Sequence, residues 1–339
     1  MTEYRDAITG YTIRRYTQGP ARNAKLYFTT ENFTPDDRYF FFNRYENDAA
    51  DDAGCYRADV QTGELTRIAD TSYTHFVLDR VRNVGYINRN ESEVYEVDLT
   101  DYSMRKLFDL PAGGRMTCHI TAADTGRLAC SYQLPSKIYA LMVMDPGKEP
   151  EIVHMSDYNL GHAQICPTDE NLLFFIHETG GDALQRTWMC DVKERTVRPY
   201  YVEHPDEWIT HEVWSADGSE MAFMKLRGKV LIGDKDGRCF HQAAESEQLL
   251  NPCLSRDGKW IVADRISYLG VDVQEGVVLI ERATGKQKLI ATTGTCATGT
   301  DHQHPSFNRA GDVVLFSNPD EKGLAQVCTI DLKQVMKDW

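Results

Sequence analysis

A chain of 339 residues with 42% hydrophobic and 26% charged side chains carries enough apolar mass for a large core and is not of disordered composition. Its net charge of −14, with no visible Lys/Arg cluster, excludes a nucleic-acid partner, whereas a small anionic ligand needs only a local basic pocket. No segment approaches the ~18 consecutive apolar residues of a membrane span.

In chain order, one short motif recurs: a turn, often Asp-Gly, followed by four to six apolar or β-branched residues. It opens at FTPDDRYFFF (33–42) and returns at 81–87, 121–132, 166–176, 214–224, 254–264 and 307–317. With the second turn residue as marker, the copies fall at Asp37, Asn83, Gly126, Asn171, Gly218, Gly258 and Gly311. The spacing is roughly 40 to 53 residues, the length of a four-stranded propeller blade. Each copy is followed by a second alternating run with its own turn, from CYRADVQTGELTRIA to the final VCTIDLKQV. Two hairpins per copy make one antiparallel blade, so residues 1–339 are expected to form a single all-β domain, a seven-bladed β-propeller.

The opening MTEYRDAITGYTIRRYTQG lacks a stretch of signal-peptide type, which predicts a cytoplasmic protein. Nine scattered cysteines without a CxxC pair fit free thiols in a reducing compartment rather than a disulfide framework or zinc site.

In a propeller, equivalent positions of different blades meet around the central channel. His211 lies seven residues before Gly218, Asn251 seven before Gly258 and His304 seven before Gly311, so these three are expected to face a common centre. His302, two residues before His304, would share its side if both stand on a strand. A His-x-His pair of this kind can hold a transition metal, although alone it is as readily a surface or hydrogen-bonded element. The segment FFIHETGGDALQRTWM supplies His177, Glu178 and Arg186, with GGD as a linker and Arg186 opening the next strand. Arginine offers a fork of donors suited to a carboxylate, or else a simple surface ion pair. His162, nine residues before Asn171, is expected near the same rim.

At His177-Glu178, at Arg186 before Trp188, at Thr210-His211-Glu212 and at His304-Pro305-Ser306-Phe307 the chain resembles the oligogalacturonate lyases, seven-bladed polysaccharide lyases of pectin degradation. The resemblance covers nearly the whole chain. It implies His211 as catalytic base and Arg186 as its assistant, while position near the same rim makes His177 and His162 candidate substrate contacts and Asn251 a further donor to the substrate. It also implies manganese held by three histidines and a glutamine, of which two match His302 and His304. Asn251 and Gly299 stand at the other two positions, so half of that shell differs here.

β-Elimination on a uronate removes the C5 proton and expels the oxygen at C4, which requires a base and a cation at the carboxylate. The expected function is therefore cleavage of a small acidic, uronate-containing oligosaccharide. Two readings of the cofactor stay open: Mn²⁺ or another divalent ion on His302 and His304, with Asn251 and Asp301 completing the shell, or a metal-free site using the same side chains as donors. Two other functions remain: a lyase on a different uronate glycan, and a non-catalytic propeller of the TolB type, whose Asp-Gly repeat is similar.

Overall fold

The computed structural model describes residues 1–45, 52–179, 183–268, 270–295 and 302–339. The GGD linker, Gly299 and Asp301 lie outside the described residues.

The described residues form seven antiparallel sheets, one per repeat. The fifth is typical: Ile209–Trp214, Glu220–Lys225, Lys229–Asp234 and Phe240–Glu245 pair in sequence order. The repeated turn residue earns its place by backbone conformation. Asp37, Gly126, Gly218, Gly258 and Gly311 all have positive φ, a region where glycine has no Cβ penalty.

The alternation of apolar residues buries both faces of each blade against its neighbours. Seven hydrophobic clusters result, one at each junction between adjacent blades. At the junction of blades five and six, Val213, Ala222 and Ile232 pack on Leu249, Ile261 and Ile280. Truncating such a side chain to alanine typically costs about 2–5 kcal/mol.

The seventh blade differs from the sequence expectation. Ser306–Phe307, Val313–Pro319 and Ala325–Asp331 supply its inner strands, and Thr12–Arg15 and Thr2–Arg5 from the chain's other end complete it. Ile13 pairs with Ile330 across this seam. The end of VCTIDLKQV, read as strand, instead turns into a short helix, Leu332–Met336, capped by the Asp331 carboxylate, which accepts from the Lys333 N–H.

Residues 26–32 of blade one cross the central channel. Phe28 joins the cluster between blades five and six, and its ring stacks on His304 with centroids 5.8 Å apart. Tyr27 is left at the centre of the mouth, 5.3 Å from His119 and 5.0 Å from His304 between ring centroids. Among the described residues no helix is long and apolar enough to cross a membrane. The eight described cysteines are free, five of them buried.

Candidate active site

One backbone device recurs at the channel. His75, His162, His211, Asn251 and His304 have φ of 56°, 46°, 57°, 47° and 45°. In blades two, four, five and six the strand register shifts at these residues, between Thr74 and Val77, Gly161 and Gln164, Thr210 and Val213, and Leu250 and Cys253. Each is a β-bulge, which re-aims one side chain out of the alternating pattern. A left-handed non-glycine residue is strained, and its repetition at one level of five blades marks a functional constraint.

His211 sits on the blade-five bulge, with Arg186 immediately before the strand Thr187–Asp191 of blade four. They line a cavity of about 300 Å³ together with Tyr27, His162, Glu178, Trp208, Tyr268 and His302. Arg186 is 4% exposed, and its Nη1 and Nη2 lie 3.2 and 3.5 Å from the two oxygens of Glu178. Its Nε is 3.7 Å from Glu212 Oε1 and makes no hydrogen bond. Glu212 accepts from His162 Nδ1 at 2.9 Å. Burial raises the Glu212 carboxyl, but the hydrogen bond and charge of His162 and the charge of Arg186 outweigh it and bring the group down to about 2. Burial also holds His211 at about 3, against the raising influence of Glu212, so its imidazole is neutral at pH 7. Its Nδ1 is buried with no hydrogen-bond partner among the described residues.

The blade-six and blade-seven side holds the remaining histidines. The rings of His302 and His304 are 5.5 Å apart, and His302 is 6.4 Å from His211. The pair precedes the strand Ser306–Phe307 rather than standing on a strand, and the left-handed turn at His304 replaces strand alternation in bringing the rings together. Asn251 Nδ2 lies 3.1 and 2.9 Å from the oxygens of Asp264 and 3.2 Å from His302 Nδ1. The amide N–H₂ is thereby directed to the carboxylate, and among the described residues Oδ1 has no hydrogen-bond partner. Asp264 also accepts from the His304 N–H, and burial pushes its carboxyl up to about 6.

His211, Asn251 and His304, which share one offset, stand together with His302, and Arg186 and His162 join His211 at its cavity. His177 does not line it: the His177 ring packs on Tyr158, with centroids 4.0 Å apart. Sequence reasoning missed Tyr27, His75, His119 and Asp264, and named Glu212 without giving it a role. His119 was within reach, since it lies seven residues before Gly126.

Can these residues hold a divalent metal? Among the described residues no three His, Cys, Asp or Glu side chains stand together as a metal cluster. The donor set is instead two imidazoles and the orphaned amide oxygen of Asn251. Burial pushes His304 well below the usual histidine range, which leaves it neutral with a lone pair to offer. The carboxylates of Glu178, Glu212 and Asp264 stand opposite Arg186 and the buried Lys25, which acts on Asp264 and His304, and the donor set of two imidazoles and one amide oxygen fits a divalent ion.

A seven-bladed propeller with a histidine–arginine pocket at its mouth is the class defined by fold and site. No family model matches the chain. It is 29% identical over 197 residues to an oligogalacturonide lyase of Pectobacterium atrosepticum and 26% identical over 183 residues to an oligogalacturonate lyase of Dickeya dadantii. These alignments cover 50% and 47% of this chain, and 49% and 46% of the relatives, so the chain spans about half the length of the curated relatives it matches. Among solved structures, an oligogalacturonate lyase of Vibrio parahaemolyticus superposes with a TM-score of 0.88 at 18% identity, covering 98% of this chain and 96% of that one. An oligogalacturonate lyase in complex with manganese gives 0.86 at 20% identity, covering 97% and 95%. A putative TolB of Agrobacterium tumefaciens reaches 0.53 at 13% identity, covering 92% of this chain and 99% of that one. The chain is thus similar in sequence to oligogalacturonate lyases over about half its length, and it shares its fold with two solved ones over nearly all of it.

Proposed function

We propose that this protein cleaves short, oligogalacturonate-like uronate oligosaccharides by β-elimination. The observation that carries this reading is the convergence on one cavity of a buried Arg186 and a neutral His211 whose Nδ1 has no hydrogen-bond partner among the described residues. Its volume of about 300 Å³ is at the small end of ligand sites, enough for one reacting sugar rather than a polymer.

Arg186 presents its fork to the uronate carboxylate while Glu178 and Glu212 hold the guanidinium in place. His211 takes the C5 proton. The electron pair of that C–H bond becomes the C4–C5 double bond, and the C4–O bond breaks with its pair on the departing oxygen, which is protonated from solvent. The incoming carboxylate offsets the burial that keeps His211 from accepting a proton, so the base is strengthened when substrate is present.

His302, His304 and Asn251 Oδ1 are the residues that would hold manganese or another divalent cation. Bound there, the ion supplies a positive charge that acidifies the C5 proton through the carboxylate. Asp264 orients Asn251 for this task through its hydrogen bonds.

The test is incubation with di- and trigalacturonate, with and without manganese, followed by ultraviolet absorbance of the unsaturated uronate. Appearance of that product supports the reading, and a broad panel of oligouronides left intact sinks it. Cleavage confined to another uronate would support the second reading, a lyase on a different glycan, which the asparagine at position 251 favours. The binding-only propeller has weaker support, because a likeness of fold alone does not explain the bulged histidines.

A further inference from the structure

Tyr27 stands at the centre of the channel mouth, yet proton removal by His211 and carboxylate binding by Arg186 leave it without a task. Its ring is held between His119 and His304, at centroid distances of 5.3 and 5.0 Å, and the residue lines the His211–Arg186 cavity. Among the described residues the Tyr27 hydroxyl has no hydrogen-bond partner, and it is not one of the sealed, partnerless polar atoms of the interior, so it opens to the space at the mouth. The charges of Glu212, Asp264, Arg186 and Glu178 all reach this hydroxyl, which sets it between the two sides of the mouth. A phenol is protonated at neutral pH and can donate.

β-Elimination needs a proton for the oxygen that leaves C4. In galacturonate that oxygen and the C5 proton are both axial and stand on opposite faces of the pyranose, so the base that removes the proton does not reach the oxygen. The donor has to approach from the other face. His211 belongs to the wall made by the blade-five strand Ile209–Trp214, whereas Tyr27 rises from the segment that crosses the channel centre. Other donors around the cavity are engaged. His162 turns Nδ1 to Glu212 at 2.9 Å and Nε2 to Glu178 at 3.8 Å, and the Arg186 guanidinium is shared by the same two carboxylates. Tyr268, the second phenol of the lining, packs on Trp208 with ring centroids 6.4 Å apart.

Resting on the lyase reading above, we infer that Tyr27 is the proton donor to the departing oxygen. Its O–H bond breaks as the C4–O bond does, the proton passes to the departing oxygen, and the phenolate takes a proton back from solvent, which remains the net source.

The test sets two substrates against each other: digalacturonate, whose departing sugar oxygen needs a proton, and galacturonate carrying 4-nitrophenol at O4, whose phenolate leaves without one. Tyr27→Phe keeps the ring between His119 and His304. It should lower kcat about a hundredfold on digalacturonate and less than about threefold on the aryl compound, with KM and the thermal midpoint little changed. Equal losses on the two substrates, or no loss on digalacturonate, overturn the inference, and so does a split that appears in Tyr268→Phe instead. If the unaltered protein cleaves neither compound, the lyase reading falls and takes the inference with it, whereas cleavage of both without the split counts against Tyr27 alone. If only digalacturonate is cleaved, fluorotyrosine at position 27 decides: a more acidic phenol should change kcat, and an unchanged kcat overturns the inference.

Discussion

The two sides of the channel mouth reach their polarity by different means. On the side of blades four and five, each ionic group has an ionic partner: Arg186 is held by Glu178 and Glu212, and Glu212 by His162. On the side of blades six and seven, Asp264 accepts from the Asn251 amide and the His304 backbone N–H, and among the described residues Asn251 Oδ1 has no hydrogen-bond partner. The ionic groups of the first side pair with one another, although His211 Nδ1, Arg186 Nε and Glu212 Oε1 are buried without a hydrogen-bond partner among the described residues. The second is an arrangement with capacity left over, as expected where a cation is to be added.

The largest expected effect breaks the first side. His211→Ala should lower turnover of digalacturonate at least about a hundredfold, the scale of a general base, with little change in thermal midpoint. Retained turnover would remove His211 from the mechanism. Arg186→Lys should cost roughly tenfold to a hundredfold in kcat/KM, because a point charge cannot reproduce the fork, and it avoids the loss of about 3–5 kcal/mol expected when a buried pair loses one partner. Full activity of that variant would show the fork to be unnecessary.

Asn251→His sharpens the second side. Three other blades place histidine in the same left-handed bulge and His304 takes the same left-handed φ, so the backbone accepts the change, and a histidine there could donate to Asp264 while ligating. Manganese affinity measured by calorimetry should rise roughly tenfold to a hundredfold, and an unchanged affinity would mean that position 251 does not face the ion.

Acidification tests both sides together. His119 and His211 are each held at about 3, so the folded protein declines protons that the unfolded chain accepts below its ordinary value of 6.5. Their contribution to stability is complete above pH 6.5 and declines as pH falls toward 3. Asp264, raised to about 6, works oppositely: it costs stability near pH 7, and the cost is relieved on acidification. Two groups outweigh one, so the thermal midpoint should fall between pH 7 and pH 5, and a constant or rising midpoint would contradict the burial described. The smallest effect is expected at His177, whose ring rests on Tyr158 outside the cavity. His177→Ala should change kcat/KM less than about twofold, whereas a large rise in KM would return it to the substrate contacts.

The architecture was legible because a propeller writes its period into the turns, and a constant offset from those turns located His211, Asn251 and His304. The same rule reaches His119, which went unread because it was applied only to the last three blades. Tyr27 gives no such signal: it lies ten residues before Asp37, at no shared offset, and reaches the centre because residues 26–32 cross the channel. Asp264 comes from a different strand than Asn251, and their contact depends on register. The bulges themselves are invisible in a sequence, since ordinary histidines carry the left-handed turn where glycine would have announced it.

The seam in blade seven gives the molecule a clasp. Strands from opposite ends of the chain fasten there, and the His302–His304 pair is anchored on the clasped blade, whereas His211 and Arg186 stand on blades made wholly from local hairpins. Opening the ring therefore endangers the two sides unequally. Local unfolding of the clasp would scatter the candidate metal donors first and leave the base and the arginine in register, so cation retention during gentle heating is a gauge of whether the ring is still shut.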